Sequence, residues 1–272
     1  MSDSSPSDSG ADGLAARLRT DRPHSARVWN YILGGKDHYA PDRQAGDLIL
    51  RAFPEFAAVA RTQRRFLARA VRFLTEEAGV RQFLDIGTGL PTADNTHEIA
   101  QRAAPDSRIV YVDHDPLVLA HARALLTSTP EGSCDYLEAD VRDPRTILAG
   151  AARTLDLDRP VGLVLLGIMG QLPDSDNPWG LVDELVEALP PGSHLVLSDG
   201  IDTSETLNAA VRAYNEQSAD SYHLRPAERI EAFFHGLHLV APGVVLADRW
   251  RAPETAEQEP RAHAMAGVAR KP

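Results

Sequence analysis

The chain has 272 residues, and its 39 Asp and Glu against 28 Lys and Arg leave a formal charge of −11. That balance argues against a chain built mainly to coat nucleic-acid phosphates, and the length suits one large domain or one domain with an appendage. A single cysteine, Cys134, excludes an intramolecular disulfide and a Cys-rich zinc site, and no stretch approaches the roughly 18 consecutive apolar residues of a spanning helix.

Residues 1–13 (MSDSSPSDSGADG) are too polar to offset their ordering entropy and are expected to form a disordered tail. They lack the charged-then-apolar pattern of a signal peptide, so a cytoplasmic setting is expected. From His24 to Leu33 the apolar Val28, Trp29, Ile32 and Leu33 recur at helical spacing, and Gly34-Gly35 stops the helix. Pro41 opens a second helix that runs to Ala52 and is broken by Phe53-Pro54. A third runs from about Glu55 to Ala78, with Arg61, Arg64, Arg65, Arg69 and Arg72 read as a solvated face. Residues 14–79 are expected to form an N-terminal helical cap, and residues 80–272 the main domain.

After Gly79 short apolar runs alternate with helical segments. Strands are expected at Gln82–Ile86, Ile109–Asp113, Asp135–Glu138, Val161–Leu166 and His194–Ser198, with helices near 92–104, 116–127, 144–154 and 178–189. Strand then helix, repeated, predicts an α/β fold: a doubly wound, Rossmann-like sheet of parallel strands with right-handed crossovers. Helices near 203–219 and 226–235 follow, and strands at Gly243–Trp250 and Ala262–Arg270 close the chain as a hairpin.

The first strand ends in FLDIGTGLPT (83–92), the Gly-rich corner of a nucleotide-binding sheet. Gly87, Thr88 and Gly89 bring backbone close to a ligand, and Asp85 sits just before them. A carboxylate there repels a pyrophosphate, which disfavours a nicotinamide oxidoreductase and favours a cationic adenosine ligand without phosphates. S-adenosylmethionine fits. Asp113, with His114 after it, ends the second strand 24 residues beyond Gly89, where an acid accepts ribose hydroxyls. Asp140 follows the third strand, where it can accept the adenine amino group while the Val141 N–H meets a ring nitrogen.

DIGTGLPT, YVDHDP and LEADVRD resemble motifs of the class I S-adenosylmethionine-dependent methyltransferases. ARVWNYILGGKDHYAPDR (26–43), YVDHDPLVLAHARALL (111–126) and AGVARKP (266–272) are similar to the signature of an actinobacterial S-adenosyl methyltransferase family of largely unassigned substrate. The resemblance implies a seven-stranded sheet with a reversed seventh strand and S-adenosyl-L-methionine as cofactor. Leu90-Pro91 replaces the usual third glycine of the turn. LLGIMGQLPD (165–174) lacks the aromatic or polar dipeptide that many small-molecule methyltransferases carry there; in it Gly167 is assigned to the cofactor and Met169 to the substrate.

The cluster after Gly34-Gly35 is read as a lid over cofactor and substrate. Tyr31 and Tyr39 would flank a substrate ring, Lys36 would meet a carboxylate, and His38 or Asp37 would act as base. A phosphate-loop reading of GGKD fails, because no strand precedes it. His97 and His121 are expected at helix surfaces, Cys134 as a buried structural thiol and Ser198-Asp199-Gly200 as a plain strand exit; no histidine spacing suggests a metal site. The expected partner is a small-molecule methyl acceptor, with no nucleic acid and no membrane. The rival is a non-catalytic S-adenosylmethionine-binding or partner-binding protein on the same fold.

Overall fold

The computed structural model describes residues 19–91, 94–125, 127–218, 221–253 and 263–272. The expected N-terminal tail, Thr92 at the start of one expected helix and most of the link before the last strand lie outside these residues. Helix α1 (Ser25–Ile32) buries Val28 and Ile32, and Gly34 ends it at φ +84°. Helix α2 (Ala40–Ala52) starts where the Tyr39 N–H donates to Asp42 Oδ2 at 2.7 Å. Helix α3 (Phe56–Glu76) lies wholly before residue 79, where the sequence divides the chain, yet it packs against both regions. Its first half packs with α1 and α2 through Ala60 and Val59, and Phe66, Leu67, Ala70 and Leu74 pack on Phe83, Val164 and Val196 of the sheet.

The sheet order is β3-β2-β1-β4-β5-β8-β6, with β1 (Gln82–Ile86), β2 (Arg108–Asp113), β3 (Ser133–Glu138), β4 (Gly162–Leu166) and β5 (His194–Gly200) parallel. Strand β8 (Ala264–Arg270) runs antiparallel to β5, with Leu197 opposite Gly267, as the reversed strand implied by the resemblance. Alternate residues of the central strands enter two apolar layers: Leu84, Ile86, Leu163 and Leu165 on one face, Phe83, Tyr111 and Val164 on the other. Both faces are covered, which is why these strands read as unbroken apolar runs.

Helices α4 (Thr96–Ala103), α5 (Pro116–Leu125), α6 (Pro144–Ala151), α7 (Pro178–Glu187), α8 (Glu205–Asn215) and α9 (Ala227–Glu231) stand close to the predicted segments. The terminal hairpin is shorter than expected: β7 is only Val245–Leu246, paired with Ala266 and Met265. The chain leaves the ladder there because Trp250 turns inward, fully buried, edge-on to Phe66 at 5.5 Å. A further short strand, β6 (His238–Leu239), pairs with β8 and carries no alternating pattern by which the sequence could announce it.

Helices α1, α2 and α8 and the start of α3 pack together through Val28, Ile32, Ile49 and Tyr214, and through Phe53 with Leu207. The group is tied to the tip of β2 by charge. Asp115 Oδ2 lies 3.1 Å from His24 Nδ1 and 3.5 Å from Arg27 Nε, while Asp42 Oδ1 accepts the His24 N–H at 2.9 Å. Arg27, Asp42 and Asp115 are all buried.

Candidate functional site

At the carboxyl ends of β1, β2 and β4 lies a cleft of about 360 Å³, within the range of small-ligand sites. Asp85, Gly87, Thr88, Gly89, Asp113, His114 and Gly167 all line it. Gly87 takes φ +72°, and a Cβ on it would stand 2.7 Å from Ile168 Cδ1, so only glycine lets the turn pass beside the β4 loop. Asp85 is buried, and Thr96 Oγ1 donates to its Oδ2 at 2.5 Å. Burial pushes the Asp85 carboxyl up to about 6, against the pull of Thr96 and the Arg64 charge. Asp113 clamps the turn: Oδ2 accepts the Gly89 N–H and Oδ1 the Asp115 N–H, each at 2.9 Å. Its burial raises its pKa, and those two N–H donors oppose the shift.

The cleft lining does not include Asp140 or Val141. Asp140 is exposed and accepts the Arg142 N–H at 2.9 Å, and Val141 is buried in the core. Arg142 lines the cleft instead, paired with Asp176 at 2.7 Å. Arg64, expected on a solvated face, also lines the cleft; burial lowers its pKa and the Asp85 charge counters that. Arg69 likewise turns inward, donating to the carbonyls of Trp250 and Ala247 at 2.7 and 2.6 Å. The solvated-face reading failed at these two arginines because long side chains on one helix reach both its neighbours and water.

Next to the cleft is a second, largely apolar chamber, with Trp29 and Phe56 among its walls, their rings 5.4 Å apart. Ser25, Trp29, Gln63 and Gln171 line both spaces. The floor is pinned. Buried Asp199, at the end of β5, accepts the Gly170 N–H at 2.9 Å and the Tyr222 hydroxyl. Buried Arg225 donates to the carbonyls of Met169 and Leu172 at 2.8 and 2.6 Å. Asp199 is therefore more than a strand exit. Its partner Tyr222 comes from a loop 23 residues on, a pairing that no local pattern announces.

The cluster after Gly34-Gly35 lines neither space. Tyr31 donates to Asp47 Oδ1 at 2.6 Å, and His38 Nε2 lies 3.1 Å from the Gly35 carbonyl oxygen. The Asp37 N–H donates to Asn30 Oδ1 at 3.0 Å, and its carboxylate lies 3.8 Å from His121 Nδ1. Tyr39 lies beneath the Arg27 guanidinium at 5.4 Å, and Lys36 is exposed. Tyr31 fastens α1 to α2, and Asp37 fastens the turn after α1 to α5. Met169 is fully buried in the core beneath the β4 loop. His97 is a further correction: it is 3% exposed, and its Nδ1 lies 2.8 Å from the buried Tyr111 hydroxyl. Cys134 is half-buried on β3, and burial pushes its thiol up to about 11. No helix among the described residues is long and apolar enough to cross a membrane.

With this geometry in view, comparison with known proteins is decisive. A family model described as S-adenosyl methyltransferase matches residues 11–272. The chain belongs to that family. This methyltransferase is 44% identical to a DUF574 family protein from Streptomyces avermitilis, with a TM-score of 0.90, covering 94% of this chain and 100% of that one. It is 39% identical to a proposed methyltransferase from Thermobifida fusca, with a TM-score of 0.85, covering 93% and 97%. It is also 27% identical over 181 residues to the carboxy-S-adenosyl-L-methionine synthase of Chromohalobacter salexigens, covering 65% of this chain but only 60% of that protein's length. The cofactor is S-adenosylmethionine. The cleft suits it: a glycine cradle that a Cβ would fill, buried carboxylates for a cation, and Arg64 beside them.

Proposed function

We propose that this enzyme methylates a small molecule held in the apolar chamber, with the cofactor in the adjoining cleft. The observation that carries the reading is the shared wall: Ser25, Trp29, Gln63 and Gln171 face both spaces, so two ligands can meet there. When bound, S-adenosylmethionine supplies a methyl group on a good leaving group. In this reading Asp85 holds the cofactor's ammonium and Arg64 its carboxylate. Each Asp113 oxygen accepts one N–H, which leaves lone pairs for ribose hydroxyls. The apolar walls exclude water and align the acceptor, which supplies most of the rate for a displacement of this type.

The division into a helical cap, residues 14–79, over a cofactor-binding domain, residues 80–272, belongs to the same proposal, with α3 shared by the two. The acidic charge and single cysteine support a cytoplasmic setting. The test is incubation with methyl-labelled cofactor and a producer-cell extract. Label is expected in a low-mass organic fraction. Label confined to protein or nucleic acid, or none transferred although S-adenosylhomocysteine binds, would refute the small-molecule reading.

A further inference from the structure

At the other end of the parallel strands lies a half-open cavity of about 380 Å³, as large as the cleft and sharing no residue with it or with the chamber. Four neighbouring strand ends each bring one nitrogen-rich side chain to it: Arg81 ahead of β1, Arg159 ahead of β4, His194 opening β5 and Arg270 closing β8. The pairing of β5 with β8 sets His194 opposite Arg270. Burial, helped by the Arg270 charge, lowers the His194 pKa to about 4. The imidazole is therefore a neutral wall, and three arginines carry the charge.

Three guanidinium groups around one space repel one another, and in a chain of net charge −11 an acid beside each would be the simple remedy. Only Arg81 has one. Its Nε lies 3.7 Å from Asp106, and its Nη1 donates to the carbonyls of Thr75 and Val80 at 2.8 and 3.0 Å, which fixes the group at the end of α3. Arg159 and Arg270 are exposed, and neither has an ion pair or a side-chain hydrogen bond among the described residues. Asp158, next to Arg159 in the chain, does not line the cavity, and Asp156 Oδ1 accepts the Asp158 N–H at 3.1 Å within its own loop. A Cβ on Gly192 would stand 3.4 Å from the Pro160 ring and 3.9 Å from Arg270 Nη2, so Arg270 and the residue following Arg159 flank the same glycine. None of the lining residues is Phe, Tyr or Trp, so nothing there stacks on a base.

We propose that this cavity binds a small molecule carrying two or more linked phosphates, held by Arg159 and Arg270 with Arg81 as the third cation. Arginine presents a planar fork of donors that matches phosphate oxygens two at a time. A lone carboxylate answers one such fork, whereas linked phosphates answer two or three. The ligand is short rather than a polymer, because the positive charge is confined to one cavity and the net charge of −11 opposes an extended polyanion. Cleft and cavity lie at opposite ends of the strands, so both can be filled at once.

Calorimetric titration of the full chain with inorganic pyrophosphate, sulfate and a short single-stranded RNA tests this, at low ionic strength and with S-adenosylhomocysteine in excess to block the cleft. Pyrophosphate is expected to bind one to one, about tenfold or more tighter than sulfate, and to weaken as salt is added. Arg159→Gln combined with Arg270→Gln is expected to weaken pyrophosphate about tenfold or more. The same double variant should keep the wild-type S-adenosylhomocysteine affinity and unfolding midpoint, because both side chains are exposed and far from the cleft. No pyrophosphate binding, equal affinity for sulfate and pyrophosphate, or equal pyrophosphate affinity in wild type and double variant overturns the proposal. Tighter binding of the RNA than of pyrophosphate overturns the small-molecule ligand and assigns the arginines to a nucleic-acid backbone.

Discussion

Asp85 carries two opposing demands. The role proposed for it at the cofactor calls for a charged carboxylate, and its burial pushes the carboxyl from 3.8 up to about 6. Between those values the folded chain holds a proton that the unfolded chain has released, so this group's contribution to stability falls as pH rises through that window. Cofactor affinity runs the other way, since holding an ammonium needs the charged form. S-adenosylhomocysteine is expected to bind more weakly as pH falls below about 6, and Asp85→Asn to flatten that dependence and weaken binding at pH 8 about tenfold or more. Titration calorimetry from pH 5 to 8 checks this; a flat wild-type profile would count against the role. The residue itself was legible, because an acid on the strand just before a GTG turn is a local pattern. Its Thr96 partner and its burial were not, since both arise from the way α4 packs on β1.

At the scale of elements, the fastening of α1 and α2 to the sheet decides which residues face the cofactor. Arg27 is buried between Asp115 and Asp42, at 3.5 and 3.9 Å, and Asp115 lies two residues after Asp113. Arg27→Met would leave two buried carboxylates with the His24 ring as the remaining partner of Asp115, a loss expected at about 3 kcal/mol. Urea unfolding checks the stability, and S-adenosylhomocysteine affinity should fall with it as the β2 tip loosens. A loss under about 1 kcal/mol would mean that the cluster is not what holds the cap. Sequence found these helices and their limits, because apolar spacing and prolines act within a turn or two. It read the loop between them as a lid. Tyr31, Asp37, His38 and Tyr39 contact the turn or neighbouring helices, and Lys36 is exposed.

At the scale of the molecule, the parallel strands bring Asp85, Asp113 and Asp199 to one edge of the sheet, and four helical segments roof it. A ligand bound only by the folded chain stabilises it. At one hundred times its dissociation constant S-adenosylhomocysteine should add about 2.7 kcal/mol. For a chain of this size that raises the unfolding midpoint by roughly 5–10 °C. Differential scanning fluorimetry should show this shift for wild type and lose it for Asp113→Ala. NAD at equal concentration should give none; a larger shift with NAD would reopen the dinucleotide reading.

The order of strands and helices, the reversed last strand and the Gly-rich turn after β1 were determined by the sequence, because each depends on local periodicity, glycine placement or a motif of a few residues. The tertiary structure alone decided which polar groups meet. It moved Arg64 into the cleft, His97 into the core and Asp140 to the surface, and it paired Asp199 with Tyr222. Such pairings join residues far apart in the chain, and their energies depend on burial and distance, which no local pattern encodes.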